Sequence, residues 1–161
     1  MDALKLLETQ HKEVKAAFKD YEDAENKREK LHLFKEIADM LAAHATIEEK
    51  ILYPAAYGGD RKDLLKEAVE EHLAAKRLIA DLLVMKASDD NFDAKVKVLQ
   101  EQIEHHVKEE EHDLFKDIKK DFPEAKLETL GQEMETLFDE LMKGSPRNDV
   151  PNETEKAAPL K

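Results

Sequence analysis

Six side chains in this sequence have the types and spacing to hold metal ions. Two lie in "HATIEEKILYP", residues 44 to 54, where His44 is followed four residues later by Glu48. Two more lie in "HVKEEEHDLFK", residues 106 to 116, where His106 is followed at the same spacing by Glu110. In a helix that spacing puts both side chains on one face, about one turn apart. The flanks repeat too: Glu49 aligns with Glu111, Leu52 with Leu114 and Tyr53 with Phe115. Upstream, His11 precedes His44 by 33 residues and His72 precedes His106 by 34. Each half of the chain therefore supplies one His from a first helix and His-x-x-x-Glu from a second.

One His-x-x-x-Glu arises easily by chance, and a single His on an apolar face is ordinarily a hydrogen-bonded core residue. The duplicated motif with matched flanks and a matched upstream His is much more specific. An imidazole or carboxylate on an apolar helix face costs stability unless something pairs it, and two cations would do so. Four neutral imidazoles and two carboxylates suit a pair of borderline first-row metals, each His on one metal and each Glu able to lean across to the second. Zinc can use His and Glu in closed four-coordinate sites, whereas calcium and magnesium want mostly oxygen. The set fits non-haem di-iron best. Zinc or manganese could substitute, because affinity alone does not select iron.

The elements that must position these residues read as long helices. Leu4, Leu7, His11, Val14 and Phe18 share one face of a first helix; Leu31, Phe34, Ile37, Leu41, His44, Glu48 and Ile51 share one face of a second. Pro54, Gly58 and Gly59 in "YPAAYGGD" end the second helix. Leu65, Ala68, His72, Ala75, Ile79 and Leu82 mark a third. After "ASDDN", where Asp89, Asp90 or Asn91 can cap, Leu99, Ile103, His106, Glu110 and Leu114 mark a fourth, closed by Pro123. A turn is placed near residues 23 to 28, although "KDYEDAENKREKLH" holds neither Gly nor Pro. The expected fold is all-α: an up-down-up-down four-helix bundle with a short fifth helix across one end, together residues 1–143. Residues 144–161, with three prolines and no periodicity, are expected to be a disordered tail.

With the motifs placed on helices, the sequence resembles the hemerythrin-like, or HHE cation-binding, domain over about residues 4 to 120. The two copies of His-x-x-x-Glu-Glu carry the resemblance. It implies that His11 and His44 serve one iron and His72 and His106 the other, with Glu48, Glu110 and an oxo or hydroxo group as bridges. Two departures stand out. Oxygen-carrying hemerythrins have a fifth His four residues after the third-helix His, where this chain has Lys76 in "HLAAKRL". A protonated ammonium cannot ligate. Their fourth-helix carboxylate is an Asp five residues after its His, an offset that here holds Glu111; the internal repeat selects Glu110 instead. Losing a His leaves an open position on the second iron, which tilts the expectation towards reaction with dioxygen, hydrogen peroxide or nitric oxide. Catalase-, peroxidase- or oxidase-like turnover, reversible oxygen binding or sensing, and iron storage all remain open.

Neighbouring residues have blander expected roles. Glu49 and Glu111 read as solvated helix charges, with transient bridging of a metal or orientation of a ligand as the lesser reading. His105 and His112 read as solvent-facing, with a hydrogen bond to a ligand the lesser reading, and His32 as surface or packing; Tyr53 and Phe115 read as packing, with an inward hydrogen bond or radical quenching by Tyr53 the lesser reading. Leu7, Leu41, Ala75 and Ile103 are expected to wall the site.

Composition excludes other classes. Charged residues make up 40% and apolar residues 41% of the 161 residues, as in well-solvated helices. A net charge of -12 argues against nucleic acid or anionic lipid as the main partner. The absence of cysteine removes disulfides, iron–sulfur clusters and thiolate zinc sites. No stretch approaches the roughly 18 apolar residues of a membrane span, and "MDALKLLETQ" lacks a secretory pattern. The expected setting is the cytoplasm.

Overall fold

The computed structural model describes residues 1–161, and it is helical without strands. Helix α1 (Ala3–Asp23) starts where the Asp2 carboxylate accepts from the Lys5 N–H at 2.9 Å. Helix α2 (Lys27–Ile47) starts where the Asn26 side chain accepts from the Glu29 N–H at 2.9 Å. Each cap satisfies a donor that the first helical turn leaves free. The end of α1 at Asp23 and the Asn26 cap set the α1–α2 boundary where the turn was expected. Helix α3 spans Lys62–Leu83, α4 spans Phe92–Glu109 and α5 spans Glu124–Met142. Helix α1 packs along α2, α3 along α4, and α5 along both α1 and α2. No helix is long and apolar enough to cross a membrane.

Two helices run past their α-helical limits in the same way. Helix α2 continues through a π turn at Glu48–Leu52 and a last α turn at Tyr53–Ala56. Helix α4 continues through a π turn at Glu110–Leu114 and then Phe115–Asp121. In each, an N–H reaches back five residues, from Tyr53 to the Glu48 carbonyl and from Phe115 to the Glu110 carbonyl. The expected stop at Pro54 is thus corrected. The proline sits in the last turn, just past the widened one, and the helix ends at Ala56. The chain reverses at Gly59, whose φ of 50° lies in the left-handed region.

Two apolar clusters hold the helices together. One contains Leu4, Leu7, Ile47, Leu52, Leu65, Leu114 and Phe115; the other contains Val14, Phe18, Phe34, Ile37, Leu41, Ile79, Leu82 and Leu99. Fully burying each such side chain contributes about 1.5–3 kcal/mol. Along every one of the four helices the inward His falls between the clusters: His11 between Leu7 and Val14, His44 between Leu41 and Ile47, His72 between Val69 and Ala75, His106 between Leu99 and Leu114. A polar layer is therefore sandwiched between two apolar ones, whose burial offsets its desolvation cost.

Two further expectations are corrected. The fifth helix is not short: its 19 residues match the length of the others, because Leu127, Leu130 and Met134 bury a continuous stripe against the first cluster. Gly131 lets it approach so closely that a Cβ there would lie 2.8 Å from the Ala3 nitrogen. The tail is not disordered either. Pro146–Glu153 forms a 3-10 segment lying across α2 and α3. Val150 is 2% exposed within the second cluster. Asp39 accepts from the Arg147 backbone N–H at 3.0 Å and from its guanidinium at 2.7 Å. The Arg77 guanidinium donates to the carbonyls of Thr154 and Glu155. These are single anchors from partners distant in sequence, so they leave no periodic trace in the chain.

Candidate metal centre

All six expected residues meet in the polar layer, each buried to 7% exposure or less. Glu48 Oε1 lies 3.4 Å from His44 Nε2 and 3.1 Å from His72 Nε2. Glu110 offers Oε1 to His11 Nε2 at 3.2 Å and Oε2 to His106 Nε2 at 3.5 Å. His72 Nε2 and His106 Nε2 are 3.2 Å apart. Each carboxylate thus spans from an imidazole of one half to an imidazole of the other. Within this layer two groups of donors could hold a cation: His11, His44, Glu48 and Glu110, and Glu48, His72 and His106. Glu48 belongs to both.

These residues fit cations better than they fit one another. His11 Nε2, His44 Nε2, both oxygens of Glu48 and Glu110 Oε1 are buried without a well-aligned hydrogen-bond partner. Buried polar atoms are normally satisfied, and one left unpaired costs about 1–3 kcal/mol. Five concentrated in one layer, all of them good ligand atoms for first-row metals, make a donor set shaped for ions.

The opposite ring nitrogens explain how the layer keeps its geometry. His11 Nδ1–H donates to Glu111 Oε2 at 2.6 Å and His72 Nδ1–H to Glu49 Oε2 at 2.7 Å. His44 Nδ1–H donates to Gln10 Oε1 at 2.7 Å and His106 Nδ1–H to Glu71 Oε1 at 2.8 Å. An acceptor on Nδ1 fixes the tautomer and leaves the Nε2 lone pair aimed inward. The pattern obeys the internal repeat. The second Glu of each motif holds the first-helix His of the other half. The residue just before each first-helix His holds the second-helix His of its own half.

Glu49 and Glu111 therefore orient imidazoles, the lesser of the two roles expected for them. The π turn widens the helix where two consecutive carboxylates must both serve the layer, one inward and one sideways. Gln10 and Glu71 escaped sequence reading, although aligning "QH" at residues 10–11 with "EH" at 71–72 would have exposed them. His105, His112 and His32 lie at the surface beside Glu109, Asp113 and Glu36 respectively.

Tyr53 does more than pack. It is fully buried, stacks on His72 with centroids 5.5 Å apart, and its hydroxyl donates to Glu110 Oε2. Phe115 stacks on His11 at 6.1 Å without a hydroxyl, so only one half carries this donor. Lys76 does not enter the donor layer. Its ammonium lies 3.0 Å from Glu49 Oε1 and 3.1 Å from Glu153 Oε1.

Without cations, protons compensate the carboxylates. Burial lowers the pKa of His11, but Glu110, Glu48 and Glu111 outweigh it and raise it to about 8. Burial likewise opposes charge on His106 and His72, yet Glu110 and Glu48 respectively hold both above the ordinary value. Burial alone would raise Glu110; His106 and His11 instead hold it well below the carboxylate range. Burial and the charge of Glu110 push the Tyr53 hydroxyl well above its usual range, keeping it protonated.

One face of the layer opens on an apolar cavity of about 40 Å³, walled by Leu41, Ala75 and Ile103 among others. Three of the four expected wall residues are there. Leu7 packs in the first apolar cluster instead.

The model of the hemerythrin HHE cation binding domain matches residues 2–118. A hemerythrin HHE cation binding domain-containing protein from Mycobacterium kansasii has a similar solved fold, with a TM-score of 0.78 and 23% identity over 99% of this chain and 95% of that one. A DNA nickase from Nostoc sp. is 29% identical over 119 residues, which are 71% of this chain and 33% of that protein. The chain thus spans about a third of that curated relative. With the family model matched across both motifs and all four helices that carry them, the chain belongs to the hemerythrin HHE cation-binding domain family.

Proposed function

We propose that this chain is a non-haem di-iron protein that binds or reacts with a small oxidant or gas: dioxygen, hydrogen peroxide or nitric oxide. Helices α1 to α4 are read as an up-down-up-down bundle that brings the two halves to one layer. His11 and His44 hold one iron, His72 and His106 the other, and Glu48 and Glu110 bridge them. The observation that carries this reading is the set of five unpartnered buried ligand atoms facing one another. Bound there, two irons would supply redox chemistry towards a small ligand.

The chain's own residues supply the rest. Gln10, Glu71, Glu49 and Glu111 fix the four imidazoles. The Tyr53 hydroxyl keeps its proton and donates it in a hydrogen bond to Glu110 Oε2, next to the ligand layer. The apolar cavity excludes bulk water and is large enough for two or three atoms, since one water needs about 10–15 Å³ by the same measure. Two imidazoles and shared carboxylates per metal resemble the donor sets of iron sites that leave positions open for oxygen chemistry. That favours reaction or gas binding over storage. The acidic balance gives no support to a nucleic-acid partner, so the relative's nicking activity is not carried over.

The test is metal analysis and an optical spectrum of protein from iron-rich cells, followed by addition of peroxide, dioxygen or nitric oxide. Two irons per chain and a ligand-dependent charge-transfer band are expected. Turnover of peroxide would mark an enzyme, and a reversible oxygen spectrum without turnover a binding protein. Fewer than two metal ions per chain after full loading would refute the two-metal reading.

A further inference from the structure

The C-terminal 3-10 segment does something the helices alone cannot. The apolar cavity beside the imidazoles is closed on one side by Val150. Outside it lies an open polar recess of about 410 Å³, lined by Glu49, Lys50, Glu153 and Lys156 among others. Three residues line both spaces: Ala42, Lys76 and Val150. They are the partition between solvent and the donor layer. Ala42 belongs to α2 and Lys76 to α3, so only Val150 stands outside the long helices, on the C-terminal 3-10 segment.

That segment is fastened rather than fused. Lys76 bridges Glu49 of the donor layer's support and Glu153 of the segment, at 3.0 and 3.1 Å. Glu153 is 43% exposed at its side chain, so the segment's side of this ion pair is partly solvated. Arg147 with Asp39 anchors the other end. Arg77 also holds the carbonyls of Thr154 and Glu155 just beyond Glu153, and between these anchors one apolar side chain, Val150, lines the cavity.

Building on the proposed di-iron reading, we infer that residues 146–153 form the gate of the ligand chamber. Val150 is the plug and the Lys76–Glu153 pair is the latch. The gate governs how fast, and at what size, a neutral small ligand reaches the metals. This gives Lys76 a role in place of metal ligation: it ties the gate to Glu49, which orients His72.

Two measurements on the full chain test the gate. The first is the rate of nitric oxide association with ferrous-loaded protein, followed by stopped flow at equal iron content. Val150→Ala and Glu153→Gln should each raise the rate several-fold, and Val150→Phe should lower it. Unchanged rates across the series would overturn the proposal. The second uses metal-free protein and xenon, read from methyl NMR shifts of Val14, Ile79 and Ile103. Xenon should occupy the wild-type cavity, exchange faster in Glu153→Gln, and be excluded by Val150→Phe. Indifference of xenon to all three substitutions would also overturn it. If ferrous protein binds no nitric oxide at all, the di-iron reading fails, and the xenon series still decides the gate. Should Val150→Phe fail to fold, the Val150→Ala and Glu153→Gln arms suffice.

Discussion

Glu71 offers the sharpest test of how the donor layer is built. It contributes no atom to the donor group that includes His106, yet it accepts from His106 Nδ1 at 2.8 Å. Replacing it with Ala removes the acceptor that fixes the His106 tautomer and ring orientation. Loss of such a partner typically costs 10–100-fold in metal affinity, or about 1.4–2.7 kcal/mol. The internal repeat supplies the control. Gln10 performs the same task for His44 with a neutral amide oxygen at 2.7 Å. Glu71→Gln should therefore recover most of the affinity that Glu71→Ala loses. The assay is anaerobic competition of metal-free protein against a chromophoric chelator for ferrous iron, with cobalt as a redox-inert check. Only one of the two binding steps should weaken, because Glu71 touches one imidazole of the layer. Wild-type affinity in a folded Glu71→Ala protein would refute the idea that the Nδ1 acceptors organise the site. So would equal weakening of both steps.

Other outcomes follow from the same geometry. Metal uptake should weaken as pH falls below about 8, because His11 with its pKa raised to about 8 must give up a proton to bind. The linkage runs the other way for the metal-free fold. A raised histidine pKa stabilises below the unfolded value near 6.5 and that stability, on the order of 2 kcal/mol for His11, is lost as pH rises through about 8. The metal-induced rise in Tm should therefore grow between pH 6 and 9, and a flat difference would contradict the proton-for-metal exchange. Tyr53→Phe removes a hydrogen bond to a buried carboxylate and should cost metal-free protein about 1.5–3 kcal/mol in urea melts. It should leave metal stoichiometry unchanged, since Phe115 occupies the equivalent place in the other half. Gly131→Ala drives a methyl into the Met1–Ala3 backbone and should lower stability by about 1–3 kcal/mol in the same assay, without altering the metal content. His106→Ala should lower metal content and His105→Ala should not; equal losses would overturn the register in which His106 and Glu110 face inward.

Much of this protein was written in local repetition. Four-residue spacing puts His44 with Glu48 and His106 with Glu110 whatever the helices pack against, and the duplicated flanks mark both motifs as one design used twice. Helix identity and the six inward residues were legible for the same reason: apolar periodicity is a property of neighbours in sequence. Tertiary structure decided what depends on partners far along the chain. Whether Glu49 faces solvent or His72 is set by how α2 meets α3, a contact between residues 23 positions apart. The π turns, which let consecutive glutamates serve different roles, have no residue signature shared by both copies beyond the motif itself; Pro54 follows one and Lys116 the other. The tail reads as featureless because it is held by isolated contacts, Arg147 to Asp39 across 108 positions and Val150 in a gap between helices. Lys76 could be excluded as a ligand from its chemistry alone. Only the packed structure, by placing Glu49 and Glu153 on either side of its ammonium, shows what it holds instead.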